Sequence, residues 1–231
     1  MEDDAVLANV GYVYQNEGES KAQEYLEEHL QGHRIHPHFS DDDSVFIETP
    51  RGAILSIPGT NRLEDLHTDL SVAFGADRNP FLTPFLHRRF FETDKKFLGL
   101  LDRYGSVKTV GHSLGSTIGQ DLSRRHNQAH TGFNPGSSPL GEMISLPCTV
   151  FDCGVKPKIY TVAGDPISMS NRYLGYADHE YIQKKPGETA HALANFLPTK
   201  VPEPANLVPT SEEDLCTAQP DNPLCKFSSA R

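Results

Sequence analysis

The residues best placed to do chemistry are those of Gly111–His112–Ser113–Leu114–Gly115. A serine hydroxyl is a weak nucleophile near neutral pH. It attacks a carbonyl only when a base takes its proton, a third group orients that base, and donors await the oxyanion. The chemistry on offer is acyl transfer. Three acids compete to orient the base: Asp152, Asp165 and Asp178. Asp165 directly follows a convincing strand, Lys158–Val162, and is fixed by Pro166, so it is the expected acid. Two histidines follow it, His191 and His179, while His126 and His130 precede it. His191 opens an amphipathic segment after Pro186–Gly187 and is the preferred base. His179, set in Ala-Asp-His-Glu, suits a solvent-facing loop and stays as the alternative. His112 precedes the nucleophile and is read as a packing and hydrogen-bonding residue.

These side chains need elements to hold them. The β-branched run Val107–Val110 ends at the G-x-S-x-G turn, and Ser116–His126 reads as a helix. This is the strand–turn–helix setting of a nucleophile elbow, and a side chain at Gly111 or Gly115 would crowd it. Upstream, Val45–Glu48 and Ala53–Ile57 are short strands joined by Pro50–Arg51–Gly52. The second runs into Pro58–Gly59–Thr60, which can place a hydroxyl and a backbone N–H where an oxyanion needs them; Thr60 can equally cap the helix expected after it. That helix would bury Leu63, Leu66, Leu70 and Phe74. Thr83 and Pro84 start a long helix ending at Gly105, with Phe90, Phe97, Leu98, Leu101 and Tyr104 inward and Arg88, Arg89, Asp94, Lys95 and Lys96 facing water. Ala129–Asn134 is a further strand. Near the N-terminus, residues 5–14 suggest a short apolar helix broken near Gly18. Ser20 with Gln23 then reads as a capping box opening a second helix, whose stripe is Ala22, Tyr25, Leu26 and Leu30.

Composition narrows the partners. The 231 residues carry a formal net charge of −10, which argues against nucleic acid and against electrostatic attraction to anionic membranes. No apolar run approaches the roughly 18 residues a transmembrane segment needs. Met-Glu-Asp-Asp is acidic where a signal peptide would be basic, so the default expectation is cytoplasmic. His33, His36 and His38 followed by Asp41, Asp42 and Asp43 invite a metal, but Pro37 and Ser40 break any regular element, so a solvated loop without a metal is expected. Cys148 with Cys153, and Cys216 with Cys225, leave two local disulfides or free thiols open; neither spacing suits zinc.

Taken together, several segments resemble the fungal-type class 3 lipases, a branch of the α/β-hydrolase superfamily. Gly111–His112–Ser113–Leu114–Gly115 looks like their elbow, and Pro58–Leu70 is similar to their oxyanion strand and lid helix. Leu86–His87–Arg88–Arg89–Phe90 resembles the start of the helix before the elbow, and Gly164–Asp165–Pro166–Ile167 the segment carrying the acid. The likeness spans roughly residues 45–195, with Pro58 standing where the family usually has arginine.

The resemblance implies an α/β fold, an α/β-hydrolase-like, mostly parallel central sheet flanked by helices; outside its span the residues themselves add two short N-terminal helices and an irregular C-terminal tail. The lipase domain would cover 1–197 and the Pro-rich tail 198–231. It implies a serine hydrolase of carboxylic, preferably lipid, esters working through Ser113, Asp165 and His191. Thr60 and the backbone N–H of Leu114 would hold the oxyanion, with no metal or organic cofactor and at most transient contact with a lipid interface. A lipase-like binding or structural protein without activity, and a peptidase or amidase on the same fold, are the competing classes.

Overall fold

The computed structural model describes residues 1–59, 84–136, 154–168 and 177–198, at 84–88 by the backbone alone. Thr60, the stretch expected as a lid, Asp152, the four cysteines and the tail beyond Pro198 lie outside the described residues. Met1–Leu197 form one compact unit.

The chain opens with two helices, α1 (Glu2–Glu17) and α2 (Glu19–His29). Strands β1 (Arg34–Ile35), β2 (Val45–Thr49) and β3 (Gly52–Ile57) follow. After α3 (Pro84–Tyr104) come β4 (Val107–His112), α4 (Leu114–His126), β5 (His130–Phe133), β6 (Lys158–Val162) and β7 (Asp178–Ile182). The result is a mixed α/β structure in which the seven strands lie side by side in chain order. β1–β2 and β2–β3 pair antiparallel, and β3 through β7 pair parallel.

Alternation along the strands sorts side chains to two faces. On one face Val45, Ile47, Val110, Phe133 and Tyr160 pack with Ala5, Ala8 and Val10 of α1 and Leu26 of α2. On the other, Phe46, Leu55, Ile57 and Val107 pack with Phe97 and Leu100 of α3 and Ile118 and Leu122 of α4. β4 shows the rule residue by residue. Lys108, Val110 and His112 meet α1, whereas Val107 packs with α3 and α4 and Gly111 meets the start of α4.

Four expectations need correcting. The capping box of α2 is absent: Gly18 is the N-cap, and the Gln23 side chain instead accepts from Ile35 N–H at 2.8 Å and reaches the His33 carbonyl, pinning β1. The His33–Asp43 stretch is not all loop, because β1 adds to β2 there and His36 pairs with Glu48 at 2.7 Å. On α3, Leu98 is exposed and Leu100 takes the buried place, while Arg89 is buried at 3% exposure rather than facing water. The reason for Arg89 is local. Its guanidinium lies over the end of β3, donating to the Pro58 and Asp43 carbonyls and pairing with the Asp43 carboxylate at 3.3 Å. Finally, His179 is not in a loop. It lies on β7, in register with Ile159.

Candidate active site

The carboxyl ends of consecutive parallel strands converge on one edge of the sheet, the usual place for a site in such a sheet. Ser113 follows β4, Asn134 follows β5 and Asp165 follows β6; the chain leaving β7 returns to the same edge at His191.

Ser113 takes φ 55° and ψ −127°, a conformation non-glycine residues adopt rarely and at a cost. Packing around it keeps the turn this sharp. A Cβ on Gly115 would stand 2.0 Å from the Ile57 carbonyl oxygen, and one on Gly111 would stand 2.6 Å from the Gly115 carbonyl. With hydrogen in both places, α4 starts directly against β3 and β4. Ser113 is the N-cap of α4, yet its side chain makes no capping bond. The hydroxyl is turned to His191, whose Nε2 lies 2.8 Å from Oγ. Leu114 is the first residue of α4, so its N–H has no carbonyl to reach within the helix and sits at the positive end of the helix dipole.

On its other side, His191 Nδ1 lies 2.8 Å from Asp165 Oδ2. A carboxylate only accepts, so Nδ1 carries the proton and Nε2 is left to accept from Ser113. The Asp165 side chain is fully buried, and burial alone would raise its pKa. The bond and charge of His191, with the bonds from Ser168 Oγ (2.7 Å) and Ile167 N–H (3.1 Å), outweigh burial and hold the carboxyl below its ordinary value. Asp165 is therefore ionised at neutral pH, and it keeps the imidazole in the tautomer a general base needs.

His191 lies in an irregular loop, and the loop is fixed by its carbonyls. Asn195 Nδ2 donates to the Thr189 and Ala192 carbonyls, Asn134 Nδ2 to that of Ala190, and His112 Nε2 to that of His191 itself. Asn195 Oδ1 also accepts from Lys185 N–H at 2.8 Å, closing the loop on itself. Asn134, fully buried, uses its other amide atom to accept from Val162 N–H at the end of β6. One side chain thus joins the His191 loop to the strand that delivers Asp165.

The structure brings Ser113, Asp165, His191 and the Leu114 N–H together. It places His179 on the outermost strand of the sheet and Asp178 at that strand's exposed start; His126 pairs with Asp94, and buried His130 lies against Thr109. His112 does pack and hydrogen-bond, with Tyr12 on one ring nitrogen and the His191 carbonyl on the other. Residues that sequence reasoning did not find are Asn134, Asn195, Ser168, Tyr12 and Arg89. The one available signal was Asn134, a lone amide where the strand His130–Phe133 gives way to Pro135–Gly136.

No family model matches the chain. A stretch of 126 residues, half of the chain, is 27% identical to the probable syringafactin export ATP-binding/permease protein SyfD of Pseudomonas syringae pv. tomato. The stretch covers 19% of that relative, so the chain spans about a fifth of its length. Among the described residues, no helix is long and apolar enough to cross a membrane.

Proposed function

We propose that this protein is a serine hydrolase of carboxylic esters with an α/β-hydrolase arrangement like that of the class 3 lipases. One observation carries the reading: Ser113 Oγ, His191 Nε2, His191 Nδ1 and Asp165 Oδ2 form a continuous chain with 2.8 Å at each hydrogen bond, starting from a serine at φ 55°.

In this mechanism His191 Nε2 takes the Ser113 proton as Oγ bonds to the ester carbonyl carbon, and the carbonyl π pair moves onto oxygen. The Leu114 N–H stabilises that oxyanion, and the family likeness gives Thr60 as its partner. Collapse re-forms the carbonyl and breaks the bond to the alcohol oxygen, which leaves with the proton from His191. Water, deprotonated by His191, then attacks the acyl-serine, and Ser113 leaves with its proton restored. Every proton is returned, so the cycle closes with ester and water converted to acid and alcohol.

The name of the partial relative includes ATP binding, said of that protein. A phosphate loop of the G-x-x-x-x-G-K-[ST] type uses its lysine to reach the phosphates. Here Ser116 follows Gly115, and the serine between the glycines is engaged by a histidine. That arrangement favours carbonyl chemistry. The preference for lipid esters, and for transient contact with a lipid interface, rests on the family likeness alone, since the stretch likened to a lid, residues 61–70, sets Leu63, Leu66 and Leu70 among Arg62, Glu64, Asp65, His67 and Asp69.

The test is hydrolysis of nitrophenyl esters of increasing acyl length by the wild type and Ser113→Ala, with fluorophosphonate labelling of both. The expected result is turnover and labelling of the wild type only, with both proteins equally folded by circular dichroism. Absence of turnover and labelling in the wild type, with and without lipid micelles, overturns the proposal.

A further inference from the structure

The N-terminal helix reaches the candidate site through a directed relay. Gly59 N–H donates to the Tyr12 hydroxyl oxygen at 2.8 Å, and Tyr12 O–H lies 2.8 Å from His112 Nδ1. His112 Nε2 lies 2.7 Å from the His191 carbonyl oxygen. A carbonyl can only accept, so the His112 proton sits on Nε2 and Nδ1 accepts from Tyr12. Burial foremost, with His191 beside it, pushes the His112 pKa down to about 3. The ring therefore stays neutral and the direction of the relay holds across the working range.

The two ends of this relay are the two parts whose separation matters for acyl transfer. Gly59 precedes Thr60, at the end of the strand that would present an oxyanion donor, and His191 is the base. We propose that Tyr12 is a positioning residue, coupling the oxyanion strand to the base through His112; this rests on the ester-hydrolase reading.

Tyr12 arrives in register because α1 is anchored along β4. Asp4 pairs with Lys108 at 2.6 Å and accepts from Thr131 at 3.0 Å, while Ser56 Oγ donates to the Leu7 carbonyl at 2.7 Å. From Asp4 to Tyr12 is eight helical residues, about 12 Å. From Lys108 to His112 is four strand residues, about 13 Å. The helix rise and the strand rise match, so the contact at Asp4 sets the contact at Tyr12. Beside it, Gly11 lets the helix lie so near the strand end that a Cβ there would stand 2.9 Å from Pro58 Cδ. Arg89 holds the Pro58 carbonyl from the other direction. The Pro58–Gly59 segment is thus fixed by one side chain from each helical layer.

The experiment uses the full chain with Tyr12→Phe, His112→Phe and their combination, plus Tyr14→Phe as a control on the same helix. His112→Phe keeps an aromatic ring in place but has no ring nitrogen, so it neither accepts from Tyr12 nor donates to the His191 carbonyl. With nitrophenyl esters, Tyr12→Phe is expected to lower kcat by roughly ten- to a hundredfold, the scale of a small misplacement of reacting groups. KM should change less than about twofold, because the ground-state contacts remain. Fluorophosphonate labelling should slow in parallel with kcat, while Tyr14→Phe stays at the wild-type rate. The double variant should be no slower than the worse single variant, since both break one relay. Wild-type kcat in Tyr12→Phe, or costs that simply add, overturns the positioning role while leaving the hydrolase reading intact. Loss confined to the unfolded fraction by thermal melting also overturns it. A wild type that neither turns over nor labels removes both proposals at once. If Tyr12→Phe fails to fold, His112→Phe decides, since full kcat there overturns the relay.

Discussion

On the ester-hydrolase proposal, Asp165→Asn isolates what the acid contributes, because the substitution keeps size and shape. The carboxylate accepts three hydrogen bonds, and Oδ2 alone takes two of them, from His191 Nδ1–H and Ser168 Oγ–H. An asparagine whose oxygen stays on Ile167 N–H turns its NH2 toward His191. The imidazole must then accept at Nδ1 and carry its proton on Nε2, where it donates to Ser113 and cannot remove the Ser113 proton. Inverting a catalytic histidine this way lowers kcat by about 10⁴, or about 5.4 kcal/mol at 1.36 kcal/mol per decade. Fold stability should move far less, since one neutral hydrogen-bonding group replaces a buried charge in the same volume. The assay is nitrophenyl ester hydrolysis at neutral pH, beside a thermal melt. A loss under about tenfold in a folded variant would refute the tautomer argument, and with it the role given to Asp165.

Two further perturbations test the packing behind the site. In Gly115→Ala, a Cβ placed 2.0 Å from a backbone oxygen must push the end of β3 away from α4, so stability should fall by about 1–3 kcal/mol in urea denaturation and turnover should be lost. An unchanged midpoint would show that the elbow can spread. Stability should also depend on acid in a defined window. Burial, with His191 next, lowers the His112 pKa to about 3, and burial, with Lys108 next, lowers that of His130 to about 3. Both groups bind fewer protons folded than unfolded between about pH 3 and 6.5, so their contribution is complete above pH 6.5 and is lost as pH falls below it. The expected slope is on the order of 1.4 kcal/mol per pH unit for each histidine, measured by urea denaturation at pH 7 and pH 5.5. Equal stability at the two values would contradict buried neutral imidazoles. Asp165, held below its ordinary value, adds a second loss only at lower pH, as its carboxyl is protonated.

The parts of the site legible in the sequence are those whose signal is local. Ser113 stands between two glycines, after a β-branched run and before a helix, and each of those features constrains the others. Asp165 is legible because a strand delivers it and Pro166 fixes it. His191 is separable from His179 only by preference, because both follow Asp165 and no short motif fixes either of them. What separates them in space is β7, and Asp-His-Glu-Tyr-Ile has no apolar run to announce a strand. It forms at the outer edge of the sheet, half-exposed, because β6 offers a free parallel edge to pair with. The two-residue β1 is illegible for the same reason: it exists by pairing with β2, not by its own propensity.

The positioning residues were illegible for a different reason. A tyrosine in an apolar helix, or an arginine in an amphipathic one, carries no mark of function by type or spacing. Tyr12 and Arg89 acquire theirs from contacts to Gly59 and Pro58 that cross 47 and 31 residues of chain. Those contacts exist because α1 and α3 pack on opposite faces of the sheet and both extend to the end of β3. The reactive groups can be read from short motifs because bond-making needs particular atoms. Holding those atoms to within an ångström needs only donors and acceptors in the right place, and many residue types supply them. Asn134, Asn195 and His112 meet that need for the His191 loop, and they do so through four consecutive carbonyls, from Thr189 to Ala192, that any sequence would present. The candidates for the base are therefore written in the chain, and the position that favours His191 over His179 is a property of the fold.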